Sequence, residues 1–143
     1  MGELNRFLKK NKKTKDNLKI AATQTLTDEK GKPLVWEIRP LTTKEDNALR
    51  DDCTVDVQVT GKPGMFRPKF SANRYLAKMA AACVVYPNLN DKELQDSYGT
   101  MGAEQLIQEM IDDPGEYNAF MSQVQAYHGF DQTFQEKVDE AKN

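Results

Sequence analysis

The stretch Cys83-Val-Val-Tyr-Pro-Asn-Leu-Asn-Asp-Lys-Glu-Leu-Gln-Asp-Ser-Tyr-Gly-Thr-Met-Gly102 sits where one helix stops and another starts. Upstream, Tyr75, Leu76, Met79, Ala80, Cys83 and Val84 form a wide apolar stripe at helical spacing, which predicts a core helix over 73–85. Pro87 ends it, because the residue before a proline is pushed out of the α region. Asn90 then reads as an N-cap, with Glu93 at the capping-box position and Leu89 and Leu94 placed for a hydrophobic staple. Leu94 and Tyr98 are i, i+4 neighbours, and Gly99 closes a helix of about eight residues.

Downstream the pattern stays helical. Leu106, Ile107, Met110 and Ile111 face inward from a helix over 103–111. Asp113-Pro114-Gly115-Glu116 is the strongest start signal in the chain, with an N-cap Asp, Pro at N1 and Glu at N3. That helix runs to His128 and stops at Gly129. Asp131 caps a last expected helix with Phe134, Val138 and Ala141 inward.

Upstream the period changes from helix to strand. Leu18, Ile20 and Ala22 alternate with polar positions, and residues 23–27 are rich in strand formers. Asp28-Glu29-Lys30-Gly31-Lys32 supplies the turn of a β-hairpin over 18–41. Leu34, Trp36 and Ile38 share a face of its second arm, and Pro40 ends it. Trp36 is expected to anchor the sheet to a helix. Thr42 and Glu45 form a capping box for a helix to Asp52. Val55, Val57 and Val59 begin a second hairpin that turns at 61–64 and returns over 65–70, with Pro68 confining the return arm to an edge.

The fold class is therefore α+β: an N-terminal β-hairpin or small antiparallel sheet, then a mainly α-helical C-terminal half. At 143 residues the chain is expected to form one domain over 1–143. Residues 1–17 are a basic arm, 18–70 the β-rich part and 71–143 the helical part. In the arm, Leu4, Phe7 and Leu8 share one helical face, followed by Lys9, Lys10, Lys12, Lys13 and Lys15. So short a piece rarely holds a helix alone, so it is either mobile or ordered by docking those three side chains.

Charge is graded along the chain. Residues 1–16 carry six basic and two acidic residues, net +4, whereas 89–143 carry three basic and twelve acidic, net −9. Such polarity suits a complementary partner or a second copy, or simply two solvated faces. No run of about 18 apolar residues suggests a membrane span. The first residues lack a signal-peptide stretch, and Arg6 interrupts a myristoylation signal. Cys53 and Cys83 read as free structural thiols, which gives a cytoplasmic location by default.

Little in the chain reads as chemistry. One histidine, His128, and two distant cysteines do not supply metal-ligand spacing, so no cofactor or metal is expected. The loop Gly61-Lys62-Pro63-Gly64 lacks the ending of a phosphate loop. The pairs Asp51/Asp52 and Asp112/Asp113 are adjacent and point apart on a helix. Catalysis is not expected. The lysine arm admits a nucleic-acid-binding reading, but no aromatic residues interleave with it and the chain is slightly acidic.

Val85-Tyr86-Pro87-Asn88-Leu89-Asn90 and Leu94-Gln95-Asp96-Ser97-Tyr98-Gly99 resemble the tail assembly chaperones of contractile-tailed phages and PBSX-type prophages, the XkdN-like family. Phe7 to Lys13, Asp28 to Glu37, Gly115-Glu116-Tyr117 and Glu140-Ala141-Lys142-Asn143 resemble the same family, so the likeness covers essentially the whole chain. Thr100-Met101-Gly102 departs from a Val-Met-Gly pattern. The resemblance implies a non-enzymatic protein of the host cytoplasm that coats the tape measure protein, recruits tail tube protein and is absent from the mature virion. Candidate partner-binding residues are Leu4, Phe7 and Leu8, for self-association or docking, and Tyr86, Gln95, Asp96, Ser97 and Tyr98 around the hinge. A small nucleic-acid-binding accessory protein is the alternative.

Overall fold

The computed structural model describes residues 2–130. Strands β1 (Leu18–Ile20) and β2 (Trp36–Ile38) pair antiparallel, with Leu18 opposite Ile38 and Ile20 opposite Trp36. Helix α1 (Thr43–Asp52) follows, then a two-stranded ribbon of β3 (Thr54–Gln58) and β4 (Phe66–Phe70). Helix α2 (Ala72–Cys83) leads directly into β5 (Val84–Tyr86), which pairs with β2 to complete a sheet of order β1-β2-β5. Helices α3 (Lys92–Ser97), α4 (Ala103–Met110) and α5 (Pro114–Tyr127) complete the described fold. The expected helix after Asp131 lies outside the described residues.

The α+β class and the order of its parts agree with the sequence, and several details differ. Residues 84–86 form the third strand and do not continue the helix. A helical stripe that ends on Cys83 and Val84 is indistinguishable by period from one that ends on a strand. Two valines and a tyrosine before a proline favour extended backbone, and the edge of β2 supplies the partner. Arg39 N–H donates to Cys83 O at the joint, at 2.8 Å.

The first hairpin is also interrupted. Residues 21–35 form a loop whose tip alone is hairpin-like, with a bridge between Thr27 and Pro33 and Asp28 Oδ1 accepting from the amides of Lys30 and Lys32. Thr23 is buried, and its hydroxyl donates to Glu116 Oε1 at 2.6 Å. Gln24 N–H donates to Glu116 Oε2 at 2.8 Å. A carboxylate on α5 thus takes the bonds that a second strand would have offered. Leu34 consequently does not share the burial of Trp36 and Ile38; it is 43% exposed.

The N-cap of α3 is Asp91, one residue later than expected. Asn88 Oδ1 accepts from Asn90 N–H and Asn88 O from Asp91 N–H, which commits Asn90 to a turn. Asp91 Oδ1 then accepts from Leu94 N–H at 2.9 Å. An acidic cap also meets the positive end of the helix dipole. The helix is six residues long, and Leu89, outside the staple register, is buried in the core.

The other signals behave as read. Thr42 Oγ1 accepts from Glu45 N–H and Glu45 Oε1 from Thr42 N–H, a reciprocal capping box. Asp113 caps α5 through Glu116 N–H, with Pro114 at N1. Gly99 closes α3 at φ 66°, where a Cβ would be strained. One buried cluster unites β2, α2, α4 and α5 through Trp36, Ile38, Met79, Cys83, Leu106, Ile107, Phe120 and Val124. Trp36 meets Phe120 edge-on with centroids 5.7 Å apart, the expected sheet-to-helix anchor. Lys78 and Glu104 pair at 3.2 Å between α2 and α4.

Candidate interaction surfaces

Tyr86 and Tyr98 are brought together at one shallow apolar cavity of about 190 Å³. β5 delivers Tyr86 beside Pro87. The glycine stop after α3 leaves Tyr98 at that helix's end, one turn from Leu94. Leu26, Leu34 and Val35 come from the loop before β2, and Trp36 and Met110 form the base. Tyr86 is 64% exposed, whereas Leu94 and Tyr98 are half-buried against the core. The sequence reading missed Leu26, Leu34, Val35 and Met110 here. The signal was present: three consecutive apolar residues, Leu34-Val35-Trp36, cannot all face one side of a strand.

The remaining hinge candidates divide differently. Gln95 is spent on structure: its Nε2 donates to Leu89 O at 2.8 Å, and its Oε1 accepts from Gly102 N–H at 3.2 Å. It ties together the chain entering and leaving α3. Ser97 Oγ donates to Leu94 O within the helix, at 2.8 Å. Asp96 is exposed and adds to an acidic edge with Asp91 and Glu93.

The arm forms two 3-10 turns, Glu3–Phe7 and Lys9–Asn11, and no α-helix. At three residues per turn Leu4 and Phe7 align, while Leu8 joins the turns in extended conformation. Leu4 and Phe7 are 75% and 83% exposed, and Leu8 is exposed too. The arm's root is fixed at the end of α5. Tyr127 Oη donates to Asp16 O, and Lys15 Nζ lies 4.2 Å from the Tyr127 ring centroid.

The β3–β4 ribbon is mostly exposed, including Val55, Met65, Phe66 and Phe70. It is fastened to the body at its base, where Ser71 N–H donates to Cys53 O at 2.9 Å, Phe70 packs on Tyr75 and Arg50 covers the Tyr75 ring. Arg50 also pairs with Asp46 at 2.9 Å, and Tyr75 Oη donates to Asp46 Oδ1. Burial and that carboxylate push the Tyr75 hydroxyl up to about 12.

The groups considered for chemistry are spoken for. His128 is held at both ring nitrogens: Nδ1–H donates to Val124 O at 2.8 Å, and Nε2 accepts from Leu41 N–H at 3.0 Å. Cys53 and Cys83 are both free and buried, and burial pushes the Cys83 thiol up to about 12, far from reactive thiolate. Among the described residues no cluster of three His, Cys, Asp or Glu could hold a metal ion. Among them, too, no helix is long and apolar enough to cross a membrane.

The described residues form a small α+β scaffold that exposes an apolar cavity, an apolar arm and an acidic edge. The sequence pattern of the family described as "Phage XkdN-like tail assembly chaperone protein, TAC" matches residues 4–142, and the chain belongs to that family. It is 23% identical over 128 residues to the phage-like element PBSX protein XkdN of Bacillus subtilis (strain 168), covering 90% of this chain and 85% of the relative. The identity and coverage are the same for the uncharacterized protein YqbN of that strain. A crystal structure of YqbN superposes with a TM-score of 0.74 at 19% identity, covering 92% of this chain and 99% of the other, which shows a shared fold.

Proposed function

We propose that this phage tail assembly chaperone acts by binding the tape measure protein and helping tail tube protein assemble around it, without catalysing a reaction. Membership of the family across residues 4–142 carries the reading. The physical character of the surface supports it. A long tape needs many copies that bind and later leave, which favours modest, partly polar interfaces used many times over one tight one. Residues 89–143 carry net −9, and the apolar surfaces described above are small and separate. The protein would act in the host cytoplasm and be absent from the mature virion.

Co-expression with the tape measure protein of the same gene cluster tests this. Co-purification of the two is expected. If that protein emerges free of this chain, with this chain supplied both alone and as any longer frameshifted form, the reading is wrong. The exposed lysine arm supports the competing nucleic-acid reading, which requires binding that weakens steeply with salt. Absence of a mobility shift at low salt removes it.

A further inference from the structure

The root of the arm and the apolar cavity lie at opposite ends of the β1–β2 pair. Leu18 stands opposite Ile38, so the arm enters the sheet at the Ile38 end, where Asp16 is held by Tyr127. The cavity lies at the other end, beside Trp36, walled by Leu34, Val35, Tyr86, Leu94 and Tyr98. The two 3-10 turns of the arm leave Leu4 and Phe7 largely exposed. One copy therefore presents an unfilled apolar cavity and, separately, an unburied Leu4–Phe7 pair.

We propose that the arm of one copy docks into the cavity of a second copy, with Phe7 as the anchoring side chain. Size and charge both fit. A cavity of about 190 Å³ is too small for a typical ligand site but suits one large side chain. The arm carries net +4 over residues 1–16, and the α3 segment beside the cavity carries Asp91, Glu93 and Asp96 against Lys92 alone. Donor and acceptor surfaces differ, so two copies either exchange arms reciprocally as a closed pair or pass the contact from copy to copy into a larger ring or an open chain. The small buried area makes each link weak and reversible. The proposal goes beyond the tape measure reading, and its test contains no tape measure protein.

One added cysteine per chain decides it, because both native thiols are buried. Leu8→Cys chains, which keep the Phe7 anchor, are mixed with size-tagged Leu34→Cys chains under mild oxidation, and Lys62→Cys in the ribbon turn serves as the control. The expected result is a Leu8→Cys/Leu34→Cys covalent dimer in several-fold excess over the Leu8→Cys/Lys62→Cys product. Equal yields overturn the proposal. So does a Leu8→Cys/Leu34→Cys double variant that closes only on itself at every concentration, since the arm would then belong to its own cavity. Sedimentation of the unmodified chain should show association that rises with concentration and falls with salt. Phe7→Asp and Tyr86→Glu, both at exposed positions, should each weaken it roughly tenfold or more while leaving the thermal melt unchanged. A species that stays monomeric at all concentrations also overturns it.

Discussion

Glu45 shows how much of the architecture one side chain can carry. It closes the capping box of α1 and at the same time receives both Nη atoms of Arg39, at 3.0 and 2.7 Å. The guanidinium, with help from the Thr42 amide, holds its carboxyl down at about 2. A carboxylate kept ionised by the fold stabilises it above the ordinary carboxylate range, and that contribution disappears as pH falls from about 4.5 towards 2. Both partners are more than a third exposed, so solvent screening reduces the effect to on the order of 1 kcal/mol. Glu45→Gln should therefore lower the urea midpoint at pH 7, and the gap to the parent chain should close by pH 2. A gap independent of pH would show that the loss is packing and not charge. Gln95 carries a different lesson. Its sequence position suggested an exposed contact, but both ends of its amide are satisfied by backbone, which no single-residue reading could reveal.

The elements separate by how local their causes are. Caps and stops were legible because a helix end needs one donor or acceptor within three residues: Thr42 with Glu45, Asp113 with Glu116, and Gly99 after α3 all behave as read. At α3 the local rule left two adjacent residues of nearly equal capping power, and the turn made by Asn88 decided for Asp91. Asp91→Ala should cost about 1 kcal/mol and Asn90→Ala only a few tenths, measured by chemical denaturation. The reverse order would place the cap back on Asn90. β5 was not legible, because its reason for being a strand lies in β2, nearly fifty residues earlier. The cavity shared that fate: Tyr86 and Tyr98 stood out in the sequence, but their neighbours Leu26 and Leu34 reach them only because the first hairpin is broken by its bonds to α5.

At the scale of the whole molecule, Glu116 is the fastening between the N-terminal sheet and the C-terminal helices. It joins Thr23 and Gln24 across 93 and 92 residues of sequence, and His128 and Tyr127 add links to Leu41 and Asp16. Hydrogen bonds to a charged group are worth about 1.5–3 kcal/mol. Glu116→Ala removes the charged acceptor of the buried Thr23 hydroxyl and of the Gln24 amide, leaves Thr23 only its contacts with Thr25, and should destabilise the chain by about 2 kcal/mol. Amide exchange should quicken at Gln24 above all. If exchange there is unchanged while global stability falls, Glu116 acts only through the end of α5. The same fastening has a consequence for synthesis. A ribosome adds roughly 5–20 residues per second, so Thr23 and Trp36 wait about 5–20 s for α5 to be translated. Until then the nascent chain carries Trp36 without the Phe120 ring that meets it and Thr23 without its carboxylate partner, so one of the earliest strands to be made is among the last to be closed in.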